Sequence, residues 1–269
     1  MNPTVKPPFP GFFSAIGVIA LAKIAIPAPI ALSAFIGGAL LGVPDAYTHP
    51  AVEAASLFAA ATGIAWFYRR QTGTAIRVLF GQFPRRLSLL PPFVATVAAY
   101  TLLQSTFTAA MASFFPSLSS HISSEFPQHR AYIFTAVCLA GPLAEEITYR
   151  GVLLRGFVPR YGQTQALLFS AALFAALHVN PIRLPGTFLF GMWTGWLTLR
   201  TRSLWPSLLF HSITNTLFFA LAALGYTDQQ AVAVLRESHP ARLVGFIAAA
   251  LALFAAGVFS IRRGTMEIQ

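Results

Sequence analysis

The residues best suited to chemistry in this chain are two adjacent carboxylates, Glu145 and Glu146, and an arginine four positions beyond the second, Arg150, inside an otherwise apolar stretch. No charge precedes them from Ala131 to Ala144, and none follows from Gly151 to Leu154. An ionisable group at membrane depth costs roughly 2.5–3.5 kcal/mol on insertion scales, so it is kept where it has a task. On a helix Glu146 and Arg150 share a face, with the acid N-terminal to the base, the favourable order for an ion pair. Glu145 lies about 100° round the axis and has no partner from its own helix. The spacing therefore predicts a structural pair, Glu146–Arg150, and a spare carboxylate, Glu145, for chemistry. A salt-bridged helix end just outside the bilayer is the plainer alternative for this segment alone.

Other polar residues are equally out of place. His178 closes the apolar run that begins at Phe169, and His211 and Asn215 stand four apart on one face of a later helix. At a rise of ~1.5 Å per residue, Glu145, His178 and His211 all fall roughly 13–20 Å from the expected cytoplasmic ends of their helices. A lone intramembrane histidine is most often a helix–helix hydrogen-bonding residue. Two histidines, an asparagine and a spare carboxylate at one depth are what a single buried polar site requires.

The elements that position these groups are membrane helices. Of 269 residues, 56% are hydrophobic and only 10% charged, with mean hydropathy +0.66, whereas soluble domains run near ~25% charged. The net charge of +10 does not read as a nucleic-acid surface, because the basic residues fall in short clusters between apolar runs, the pattern of membrane topology. The single cysteine, Cys138, excludes an intrachain disulfide and a cysteine metal cluster, and reads as a small buried hydrophobe.

The expected fold is all-α, a polytopic transmembrane bundle of about eight spans with no soluble domain. The spans are placed at residues 11–43, 51–68, 88–115, 131–157, 165–178, 184–199, 204–224 and 243–261. The first is long for one span and short for two; it is taken as one, with a kinked or interfacial start, and Lys23 within it argues against a cleaved signal peptide. No period-2 alternation supports a barrel. The chain divides into residues 1–130, N-terminal helices and a cytoplasmic loop; 131–225, the core that carries the polar residues; and 226–269, an outside loop, the last helix and a short cytoplasmic tail. With the N-terminus inside, inside loops hold twelve Lys and Arg against four outside (Arg130, Arg183, Arg236 and Arg242), which predicts both termini in the cytoplasm. Gly191 and Gly195 are spaced for close helix packing. Pro142 is expected to free the carbonyl of Cys138 and kink its helix beside the site.

In chain order, Glu145-Glu146-Ile147-Thr148-Tyr149-Arg150, Phe174-Ala175-Ala176-Leu177-His178 and His211-Ser212-Ile213-Thr214-Asn215 resemble a known set of motifs. These are the Glu-Glu-x-x-x-Arg, Phe-x-x-x-His and His-x-x-x-Asn of the CAAX protease and bacteriocin-processing intramembrane endopeptidases, also called Abi proteins. The resemblance covers about residues 130–225. It implies hydrolysis of a peptide bond within the membrane. Members related to the eukaryotic enzyme remove the a-a-X residues of prenylated Cys-a-a-X proteins; bacterial members mature peptides or confer bacteriocin self-immunity.

On that resemblance Glu145 activates a water, His178 holds the water or shuttles its proton, and His211 and Asn215 hydrogen-bond the carbonyl oxygen as charge develops on it. Glu146 and Arg150 lend structural support by fixing the rotation of their helix. A metalloprotease is the alternative: Glu145, His178 and His211 make a His₂Glu set with a position open for water, as zinc would need. The chain has no His-Glu-x-x-His, and a metal would leave no separate base unless Glu146 served, so no metal or other cofactor is favoured. Ser212 adjoins His211 but points about 100° away, which disfavours a serine mechanism. The expected partners are a peptide or protein substrate, lipid-modified or not, and membrane lipids, with no nucleic acid. The expected location is a membrane, the plasma membrane in a bacterium. A non-proteolytic immunity or scaffold protein that binds a peptide or lipid in the same cavity, and a proton-coupled transporter, are the competing classes.

Overall fold

The computed structural model describes residues 9–43, 45–83, 87–114, 129–178, 181–224 and 240–266. Among them every regular element is helical. The helices are α1 (Phe12–Leu41), α2 (Pro50–Thr72), the short α3 (Ile76–Phe80), α4 (Leu90–Phe114) and α5 (Arg130–Tyr161). They continue with α6 (Gln163–Ala176), α7 (Leu184–Thr201), α8 (Trp205–Ala223) and α9 (Pro240–Met266). Residue type sets their ends. At α2, His49 Nδ1 accepts the Ala51 N–H, Pro50 fills the first helical position, and Gly73 closes the helix at a φ of 73°. Proline recurs in the first turns of α7 and α8, where a missing N–H leaves no bond unmade.

Among the described residues six helices (α1, α2, α4, α5, α8 and α9) are long and apolar enough to cross a membrane. The expected first span is indeed a single helix. The two expected spans that fall short are α6 and α7: the 14 residues of α6 reach about 21 Å against a hydrocarbon core of ~30 Å, and α7 is less apolar. These two pack closely along each other. A Cβ on Gly191 would stand 2.9 Å from the backbone Cα of Ala171, so the approach there requires glycine, while one on Gly195 would displace the end of the Leu167 side chain at 2.5 Å. The loop expected over 116–130 lies, except for His129 and Arg130, outside the described residues, and so does the expected outside loop up to 239.

Helix α5 sits at the centre, with α1, α2, α6, α7 and α8 packed on it, and every residue from Ile147 to Leu154 is buried. Its backbone is irregular. Wide π-turns at Thr135–Ala140 and Ile147–Leu154 flank the α-helical stretch Gly141–Glu146, and a third π-turn, Leu21–Ala25, interrupts α1. The first and third share a cause. Gly141 N–H reaches back to Ala136 O and Ile26 N–H to Leu21 O, each one residue before a proline, Pro142 and Pro27. Proline offers no N–H and its ring crowds the turn before it, which widens. The widening corrects the expectation for Pro142: in the π register the carbonyl opposite it belongs to Val137 rather than Cys138.

The other end of α5 is tied to α3. Arg155 donates to Val78 O and Leu79 O, both at 2.6 Å, while Phe80 O accepts from Leu204 N–H and the Ser203 hydroxyl at 2.9 and 3.0 Å. Arg155 thus satisfies carbonyls that the end of α3 leaves open.

Candidate active site

The glutamates sit on the α-helical stretch Gly141–Glu146 of α5, between its two π-turns, and so point to different sides. Glu146 faces α6 and α8. Its Oε1 lies 3.1 Å from Arg150 Nη1, and both side chains are sealed from the surface at 1% and 0% exposure. The predicted pair is therefore present, but it has a third member: His211 Nδ1 lies 2.9 Å from the same Oε1. A carboxylate next to a guanidinium accepts hydrogen bonds, so Nδ1 carries the proton and Nε2 is left for the site. The Arg150 guanidinium stacks over Phe174 at 4.3 Å, and none of its nitrogens makes an aligned hydrogen bond among the described residues. Coulomb attraction to Glu146 and the aromatic face hold this charge in place of a hydrogen-bond fork.

Glu145 faces α1 and α2. Its Oε1 accepts a 2.8 Å hydrogen bond from Lys23 Nζ, and its Oε2 stands 3.9 Å from His211 Nε2. Lys23 arises from the π-turn of α1. In the sequence Lys23 reads only as a charge that interrupts the first span. The signal that would have found it is the one that found the glutamates: a charge in an apolar run needs a partner of opposite sign at its own depth. Beside the pair lies a small cavity of about 10 Å³ lined by Ala22, Lys23, Leu57, Ala60, Ala144, Glu145, Thr148 and Tyr149, about the space one water needs. The Tyr149 hydroxyl is buried and has no hydrogen-bond partner among the described residues.

His178 follows the last turn of α6, with Nδ1 2.9 Å from Phe174 O. A carbonyl only accepts, so Nδ1 again carries the proton and Nε2 is the free nitrogen. Phe174 packs against His178 with ring centroids 4.7 Å apart, and Phe190 packs against His211 at the same separation. The two phenyl rings stack at 5.8 Å and form an apolar wall between the imidazoles. His178 and His211 both lie within electrostatic reach of Glu145. Asn215, one turn beyond His211, donates from Nδ2 to Val137 O at 2.8 Å. It supplies the hydrogen bond that Pro142 cannot, and so ties α8 to the break in α5.

The structure thus gathers Glu145, Glu146, Arg150, His178 and His211 and adds Lys23, while the amide of Asn215 is turned to the backbone. Among the described residues no three His, Cys, Asp or Glu side chains are placed together around one point. The arrangement suits proton transfer. A carboxylate oxygen and an imidazole nitrogen, 3.9 Å apart, can both reach one water or carbonyl oxygen between them.

No curated protein and no solved structure matches the chain. Residues 127–217 match the type II CAAX prenyl endopeptidase, Rce1-like, family. That segment begins just before α5, ends within α8 and contains every motif residue of the site, from Glu145 to Asn215, but not Lys23. With six of the described helices long and apolar enough to cross a membrane, the chain is an integral, multi-pass membrane protein, and its residues 127–217, a third of its length, are similar to the CAAX prenyl endopeptidase family.

Proposed function

We propose that the protein hydrolyses a peptide bond at membrane depth with Glu145 as general base and no covalent intermediate. The observation that carries this is the facing of Glu145 Oε2 and His211 Nε2 at 3.9 Å, with His211 anchored from behind by Glu146. A water beside Oε2 gives a proton to Glu145 as its oxygen attacks the scissile carbonyl carbon. Protonated His211 donates from Nε2 to the carbonyl oxygen as it becomes an oxyanion. The carboxylate of Glu146 holds that imidazolium in its orientation, the part a buried acid plays behind the histidine of a hydrolytic triad. His178 Nε2 accepts the second proton of the water in a hydrogen bond and aims its lone pair. Glu145 then passes its proton to the leaving nitrogen, the C–N bond breaks, and the new carboxylic acid gives its remaining proton to His178 Nε2 as carboxylate and amine are released. Asn215 acts through position, holding His211 in line by closing the break at Val137.

The name of the matched family makes a lipid-modified peptide near its C-terminus the first substrate to test. The experiment compares peptide termini in membranes that carry the wild type or Glu145→Gln at matched levels. New termini with the wild type alone support proteolysis and identify the substrate. Identical termini, with the variant still folded and the natural partners present, would overturn the reading in favour of a non-proteolytic binder.

A further inference from the structure

Lys23, which lies outside the matched segment 127–217, is the hydrogen-bonded ion-pair partner of Glu145. Its ammonium is 2.8 Å from Glu145 Oε1, its side chain is 38% exposed against 16% for Glu145, and it borders the same small cavity. Its backbone lies in a π-turn, as do the segments on either side of the glutamates. π-turns inside helices gather at functional sites. A single lysine in this part of an apolar helix is costly to keep unless the pair has a use.

We infer that Lys23 is the receptor for a carboxylate of the substrate, and that Glu145 holds the place of that carboxylate until the substrate arrives. The inference rests on the proteolytic reading of the site. The resting pair is neutral, which suits an interior poor in water. While the ammonium sits on Oε1, it draws charge from the whole carboxylate and leaves Oε2 a weaker base. A neutral ligand cannot take Lys23 away, because that would strand two opposite charges in an apolar setting. An anionic ligand can: Lys23 passes from one carboxylate to another, and Glu145 is released as a free base facing His211. Lys23 and His211 lie on opposite oxygens of Glu145. A peptide laid along this line has its scissile carbonyl at His211 and its carboxylate at Lys23. The flexible stem of lysine lets the ammonium follow a fragment of modest length. The anion is the C-terminal carboxylate of the chain being cut or an acidic side chain close to its end. The site thus carries a built-in preference for cutting near acidic or free C-terminal ends.

The test uses the full-length protein in lipid nanodiscs and a short, apolar, fluorescent peptide in three forms: free C-terminal acid, C-terminal amide, and amide with aspartate as last residue. Binding and cleavage are read in the same samples. The wild type is expected to bind the free acid about 10- to 100-fold more tightly than the plain amide, the size of a charge-assisted pair. Lys23→Met is expected to bind the two alike, and Lys23→Arg to keep the preference. Recovery by the aspartyl amide assigns the carboxylate to a side chain, and its failure assigns it to the terminus. Equal binding of acid and amide by the wild type, or an undiminished preference in Lys23→Met, overturns the inference even if both peptides are cut. A preference without any cleavage sustains the carboxylate site and removes the proteolytic reading instead. Because the wild-type comparison needs no variant, a poorly folded Lys23→Met leaves the test intact.

Discussion

His211 reaches Glu146 and not Glu145 with its proton-bearing nitrogen: Nδ1 is 2.9 Å from Glu146 Oε1. Two neighbouring glutamates thus divide between the two nitrogens of one ring, one behind it and one in front at 3.9 Å. The adjacent acids in the sequence have separate tasks because successive helical residues diverge by about 100°.

Glu146→Ala removes the partner of a fully buried arginine and the anchor of His211. It is expected to cost about 3–5 kcal/mol of stability, chiefly because Arg150 is left uncompensated. Arg150→Met added to Glu146→Ala should recover much of that loss while activity stays low, since His211 is still unanchored. Thermal unfolding of the single and double variants in detergent checks this. Strictly additive losses would show that the two charges are not coupled.

Asn215→Ala leaves Val137 O without its donor, at a cost of roughly 0.5–1.5 kcal/mol. Pro142→Ala restores an N–H aimed at the same carbonyl. The double variant is therefore expected to be more stable than Asn215→Ala, with activity partly regained as His211 returns to its line. Activity lost in Asn215→Ala with stability unchanged, and no rescue by Pro142→Ala, would make Asn215 a direct participant in the reaction.

Much of this site is legible in the sequence. Charge in apolar runs marks Glu145, Glu146 and Arg150, four-residue spacing pairs Glu146 with Arg150, and matched depth brings His178 and His211 to them. What the sequence conceals depends on which faces meet. Lys23 is visible as a misplaced charge, but nothing local says that α1 lies against the Glu145 side of α5. The share of His211 taken by Glu146, and the turn of Asn215 to Val137, follow from π-turns that shift the register by one residue, and helical spacing assumes the α register throughout. Apolarity likewise overcounts spans: α6 is apolar but short, and it packs on the helix that carries the glutamates rather than standing as a full span.

The Tyr149 hydroxyl is buried without a hydrogen-bond partner beside the cavity at Glu145. Tyr149→Phe is expected to leave stability unchanged or to raise it by up to about 1–3 kcal/mol, the penalty of an unsatisfied buried group. Thermal unfolding decides the matter. A clear loss of stability would mean that a bound water in the cavity satisfies the hydroxyl.

Metal removal distinguishes the two catalytic chemistries. Glu145, His178 and His211 each have a different first partner, namely Lys23, the Phe174 carbonyl and Glu146. Exhaustive chelation of the purified protein is therefore expected to leave its cleavage rate unchanged. Loss on chelation, with recovery on adding zinc, would require these side chains to rearrange around an ion.

The most direct test of the central claim is the cleavage rate of purified wild type and Glu145→Gln in lipid nanodiscs on one peptide, with unfolding temperature measured alongside. Glutamine keeps the size of the side chain and its hydrogen bonding to neighbours but cannot take a proton from water. The account predicts that the rate falls by about 10²–10⁴-fold, the usual contribution of a general base, while the protein remains folded. A folded Glu145→Gln that still cleaves at close to the wild-type rate would contradict it.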